Sequence, residues 1–216
     1  IDAPRLDLKQ NPLYEDGDTK LALLKTHYYG GIKKYQWVNI PLALHGKVIL
    51  ANGSEIDLHI GEKPEDPVFT ITDLLPHLYR KKQGERKLSE GVTGEELNVL
   101  LASLPFEDNK AKKKVKLWVL DHLNKNYGMI EEDFVSAEIE VVPAGPARDI
   151  GFDRTMIGGY GQDDRICAYT SMRALLEVKV PKRTAISFVV DKEEIGSDGP
   201  TSIKSRFIEE VYSRLL

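Results

Sequence analysis

The residues best suited to chemistry in this sequence are Glu193 and Glu194, inside Asp191-Lys192-Glu193-Glu194-Ile195-Gly196-Ser197. Adjacent acids raise each other's pKa, and a divalent cation is the commonest compensator, so the pair reads first as a metal site. A third acid, Asp163, stands between Gln162 and Asp164 at the expected start of a helix. A dinuclear metal centre needs a carboxylate spanning both ions, terminal ligands, and one acid left free as a base. The number of acids fits. The same residues also fit a plainer role, with Asp163 capping its helix and the glutamates solvated.

The elements around these acids follow an α/β pattern. Ala185 to Val190 has the length and β-branched content of a fully buried strand. The glutamates would then emerge at its carboxyl end, where α/β sheets place their chemistry. A helix predicted over 166–176, that strand, the acidic loop and a helix over 202–216 form an αβα order, part of a larger α/β sheet.

The residues before Arg148 have a different texture. Pro4 marks the exit from a strand into a loop, and Asp2 by itself would be a turn residue. Short strands are predicted at 21–24, 37–40, 42–50, 55–60 and 68–71. Asn52-Gly53 between two of them suggests a type I′ hairpin turn. The glycines of Tyr28-Tyr29-Gly30-Gly31 could let backbone approach a ligand, with a bulge or sharp bend in a barrel-like sheet as the plainer reading. Leu74 to Tyr79 suggests a helical turn and Arg80 to Lys87 a solvated basic loop. Thr93-Gly94-Glu95-Glu96 has the form of a capping box leading into a helix with Leu97, Leu100, Leu101 and Leu104 on one stripe. A second helix is predicted over 110–126, closed by Gly128, and a strand over 134–142. The expected organisation is a partial catalytic α/β domain, residues 1–4 and 152–216, with a β-rich, barrel-like domain containing two helices inserted at 5–151.

Composition narrows the class. The chain has 216 residues, enough to bury a sizeable core, and 41% of them are hydrophobic. Thirty basic side chains against 34 acidic ones give a net charge of -4, which offers no electrostatic case for nucleic acid. One cysteine, Cys167, excludes an internal disulfide and suggests a reducing, cytoplasmic setting; it is expected to be buried as a small hydrophobe. No apolar run reaches the roughly 18 residues of a membrane span. The chain starts at Ile1 inside what reads as a motif, and the expectation is a fragment of a longer protein.

Three motifs, taken in order, resemble the M18 metallo-aminopeptidases. Asp191 to Ser197 is similar to their acidic signature, and Gln162-Asp163-Asp164 to their metal-bridging segment. Ile1-Asp2-Ala3-Pro4 resembles the rest of a His-x-Asp-x-Pro motif whose histidine falls one residue before Ile1. The resemblance implies a zinc-dependent aminopeptidase that removes N-terminal residues from peptides by attack of a metal-bound water, with an inserted dimerisation domain. It implies that Asp163 bridges two zinc ions, that Glu194 is a terminal ligand, and that Glu193 is the general base. Asp2 would orient the histidine through its ring N–H. Cobalt or manganese could replace zinc, and the chains would form homo-oligomers, from dimers up to dodecamers. Further Asp and His ligands would lie beyond Leu216, so these residues alone are expected to bind zinc weakly and hydrolyse nothing.

The five histidines, His27, His45, His59, His77 and His122, show no metal spacing and read as structural or surface groups. His77 is the exception, because the resemblance implies a histidine reaching into the neighbouring subunit's site to touch substrate; Asp73 matches that position equally. Two other readings stay open. One is an interaction module with inert acids, and the other is a dinuclear peptidase of the M42 type, against which the two helices predicted over 93–126 argue.

Overall fold

A computed structural model describes residues 1–108 and 110–215, and these divide into two compact units. Residues 5–28 and 32–146 form one, and residues 1–4, 29–31 and 147–216 the other.

The first unit is built on a six-stranded sheet. Its strands are β1 (Arg5–Glu15), β2 (Ala22–Tyr29), β3 (Leu42–Ile49), β4 (Glu55–Ile60), β5 (Asn98–Ala102) and β6 (Glu138–Pro143), in the order β4-β3-β6-β1-β2-β5. The paired strands β1·β6, β2·β5, β3·β4 and β3·β6 are antiparallel. Two helices accompany the sheet, α1 (Pro76–Lys82) and α2 (Lys114–Tyr127). Strand alternation sends Leu6, Leu24, Leu42, Val48, Leu58, Val99 and Val141 to the interior, each nearly inaccessible. Val115 and Val119 of α2 are buried as well. The helix is anchored at its start by Glu15, whose Oε2 accepts from the amides of Val115 and Lys116 at 2.9 and 3.1 Å. A carboxylate there satisfies two amides that lack helical partners and opposes the positive end of the helix dipole. Gly128 closes α2 in the left-handed conformation, as expected.

Several expectations are corrected here. The chain enters β1 directly after Pro4 rather than leaving a strand there. The 37–40 run is not a strand, since it follows a 3-10 turn at Lys34–Gln36 and Asn39 has φ 58. The β3–β4 hairpin forms, but the amide of Gly53 donates to Leu50 O at 2.8 Å and, of Asn52 and Gly53, Gly53 alone has positive φ (82). That is a type I turn closed by a left-handed glycine, not type I′. Residues 68–71 contribute isolated bridges, Leu42 to Phe69 and Thr70 to Leu100. The basic segment from Arg80 begins inside α1, which runs to Lys82. The capping box at Thr93–Glu96 is present, but it closes only a 3-10 turn, and the chain then runs into β5. Leu97 and Val99 are buried at a spacing of two while Leu104 is 57% exposed, so pairing with β2 overrides the helical stripe. Residues 131–136 form a 3-10 helix ahead of β6.

In the second unit, β7 (Arg148–Ile150) and β8 (Met156–Gly158) make a small hairpin, followed by α3 (Gln162–Glu177) and α4 (Arg206–Leu215). Both helices lie where the periodicity places them. The run 184–190 is not a strand: it has no ladder partner among the described residues, and Ile186 and Val189 are each 45% exposed. Cys167 is exposed, not buried. Among the described residues no helix is long and apolar enough to cross a membrane.

Candidate metal centre

The acids are positioned by three short segments of the second unit. Asp2 lies in the extended stretch before Pro4. Asp163 and Asp164 sit at the mouth of α3, where Gly161 takes φ 74 and Asp163 keeps an extended backbone (φ -92, ψ 114), with a cis peptide between the two acids. Glu193 and Glu194 open a one-turn 3-10 helix, Glu193–Ile195, held between left-handed Lys192 (φ 72) and Gly196 (φ 79). That turn is fixed by Gly196 N donating to Glu193 O at 3.0 Å and Ser197 N to Lys192 O at 2.7 Å. Asp191 steadies its entry, accepting from the amide of Lys192 at 2.7 Å and from the Thr201 hydroxyl at 3.1 Å.

These segments converge. Carboxylate oxygens of Asp2, Asp164 and Glu193 lie within 4.8 Å of one another. Asp2 ties the segments together: its Oδ1 accepts from the Glu194 amide at 3.0 Å, its Oδ2 accepts from the Tyr29 hydroxyl, and its carbonyl accepts from the Asp164 amide at 3.3 Å. Both carboxylate oxygens of Asp2 are therefore engaged. Asp163 and Glu194 are not members of the 4.8 Å triplet, but they share its field. Burial, then the charges of Asp2, Glu193, Asp163 and Asp164, pushes the Glu194 carboxyl above its usual range. Asp163 is pushed up by the side-chain hydrogen bond and charge of Asp164 and then by desolvation. Asp164 Oδ2 is buried without a hydrogen-bond partner. Carboxylates gathered this closely repel one another, and a divalent cation relieves that repulsion, so the donor set fits a divalent metal ion, zinc among them.

Sequence reasoning passed over three of these groups. The sequence marks Asp164 only as part of a motif, though it supplies the buried oxygen. Tyr29 and Gly30 were read as a bend, whereas Tyr29 holds Asp2 and Gly30 backs onto Glu194. At Gly30, with φ 75, an added Cβ would lie 2.8 Å from Glu194 Oε2 and 3.0 Å from its Cβ. Gly30→Ala is expected to displace that carboxylate and weaken zinc binding by the full-length protein about tenfold. Competition against a chelator measures it, and unchanged affinity would mean that the Glu194 position is immaterial. His77 is exposed on α1, in the first unit.

Comparison with known proteins gives a consistent picture. The M18 family profile, described as aminopeptidase I zinc metalloprotease, matches residues 1–216. A probable M18 family aminopeptidase 1 of Clostridium acetobutylicum is 56% identical over 216 residues, covering 100% of this chain and 46% of its own length. The chain thus spans about half the length of the curated relatives it matches. The crystal structure of an M18-family aminopeptidase from Thermotoga maritima superposes with a TM-score of 0.93 at 54% identity, over 100% of this chain and 46% of that one. The S. cerevisiae mApe1 dodecamer shares the fold, with a TM-score of 0.65 at 20% identity, over 99% of this chain and 47% of that one.

Proposed function

The chain belongs to the M18 family of aminopeptidase I zinc metalloproteases, and from that we propose that the full-length protein removes N-terminal residues from peptides, using the acids of the second unit. The observation that carries the reading is the convergence of carboxylate oxygens of Asp2, Asp164 and Glu193 within 4.8 Å of one another, beside Asp163 and Glu194, whose carboxyls are both held above their usual range. Bound zinc supplies a lowered pKa for water and a polarised peptide carbonyl. In this proposal Asp163 and Glu194 would hold the zinc, Asp163 as the ligand common to both ions of a two-metal centre, and cobalt or manganese could substitute. Asp163 suits that task because it is exposed, whereas Asp164 is part-buried.

Glu193 is the general base. It is the exposed member of its pair, on a turn whose backbone is fixed on both sides. It takes a proton from the attacking water and delivers it to the departing amine, a single group serving in both directions. Asp2 positions rather than reacts, since its two oxygens are occupied by the Glu194 amide and the Tyr29 hydroxyl. The first unit serves as a dimerisation domain, His77 contacts substrate in a neighbouring subunit, and the protein is a homo-oligomer; the dodecameric yeast relative supports this last point.

The test is chelation. A zinc chelator added to the full-length protein is expected to abolish release of N-terminal residues from short peptides, and added zinc to restore it. Hydrolysis that survives complete metal removal would contradict the proposal.

A further inference from the structure

The hairpin that joins β3 and β4 brings together two histidines fourteen positions apart. His45 and His59 are directly opposite in the antiparallel register. They stand on the face of the hairpin that also carries Lys47, paired with Glu55 at 2.8 Å and Asp57 at 3.3 Å. Both rings are reachable from solvent, His45 being part-exposed and His59 exposed. Their rings meet edge to face at 77°, with Nδ1 of one 3.3 Å from Nδ1 of the other. On its far side, the His45 ring places Nε2 2.8 Å from Glu62 Oε1.

This arrangement fixes a tautomer. An ionised carboxylate only accepts, so His45 donates Nε2–H to Glu62, and the neutral ring keeps its Nδ1 lone pair aimed at His59. Carboxylate, imidazole, then an open ring nitrogen is the order in which proteins prepare a histidine to hold a metal. The spacing agrees. Two nitrogens each about 2.0–2.1 Å from a tetrahedral ion are about 3.3 Å apart. Without an ion, the His59 Nδ1–H donates to His45; with one, that proton moves to His59 Nε2 and both Nδ1 atoms face the ion.

We propose that His45 and His59 form a two-histidine site for a divalent transition-metal ion, oriented by Glu62 and completed by water. Imidazole ligands favour copper, nickel and zinc over calcium or magnesium, with copper held most tightly and zinc less so. The site uses none of the acids of the metal centre described above, so it stands or falls independently of the peptidase proposal.

Nickel titration of the full-length protein tests it. His45→Gln and His59→Gln are each expected to remove one bound ion per chain relative to wild type. Glu62→Gln should weaken that ion's binding about 10–100-fold, and His77→Gln should leave it unchanged. In the wild type, imidazole 15N shifts on zinc addition should move at Nδ1 of both His45 and His59. Equal stoichiometry in wild type and both histidine variants would overturn the site, and so would a zinc response at Nε2 or at neither ring.

Discussion

Glu193→Gln in the full-length protein is expected to lower kcat for peptide hydrolysis about 100- to 10,000-fold while leaving bound zinc unchanged. Glutamine has the shape of glutamate but cannot accept the proton, so the loss falls on the chemical step. At about 1.4 kcal/mol per decade, that range corresponds to roughly 3–5 kcal/mol of transition-state stabilisation. The substitution is structurally mild. Glu193 is exposed, and the hydrogen bonds that shape its turn are made by backbone atoms of Lys192, Glu193, Gly196 and Ser197. Steady-state kinetics alongside metal analysis separate the outcomes. Undiminished kcat would remove Glu193 from the mechanism, and loss of zinc would make it a ligand instead.

Gly46→Ala is expected to be among the most destabilising single changes in the first unit. Gly46 lies in β3, flanked by Leu58 of β4 and Ile139 of β6. A Cβ there would sit 2.1 Å from the Glu138 carbonyl oxygen and 2.7 Å from Ile139 Cα. Both are backbone atoms of a paired strand, so the clash is relieved only by pulling β3 from β6. Overpacking of side chains costs about 1–3 kcal/mol, and a collision with sheet backbone should exceed that, on the order of 3 kcal/mol or more. Gly17 is the control: nothing lies within 4 Å of its Cβ position, and Gly17→Ala should be close to neutral. Urea unfolding of the two variants measures the contrast, and a Gly46→Ala midpoint matching wild type would contradict the packing described for β3 and β6.

Much of this was legible because local chemistry and tertiary context agreed. The strand 55–60, the glycine that ends α2 and the acidic turn at Glu193–Glu194 all carry their instructions in adjacent residues. Where they disagreed, the context won. Leu97, Leu100, Leu101 and Leu104 have helical spacing, but β2 offers an edge, and the chain pairs with it, leaving Leu97 and Val99 buried and Leu104 exposed. With the 93–104 helix goes the ground it offered against an M42 type; it is the family match that places the chain in M18. The 184–190 run reads as a strand from composition, yet a ladder requires a neighbour, and none runs beside it among the described residues. Cys167 shows the same limit, since burial is a property of what packs on a helix face and not of the thiol. At the metal centre, the acids announce themselves as types, whereas Tyr29 and Gly30 do not. They lie more than 130 positions from Asp163, and only the fold brings them to Asp2 and Glu194. His45 and His59 were hidden for the same reason, their pairing being a product of hairpin register.

The most direct test of the acid cluster as a zinc centre is the metal content of the full-length protein with and without Asp163→Asn. Apart from any ion at His45 and His59, wild type is expected to hold about two zinc ions per chain, and the variant fewer than about one, because the ligand that would serve both ions has lost its charge. Equal zinc in the two proteins, with folding unchanged, would contradict the assignment of Asp163 and with it the proposed centre.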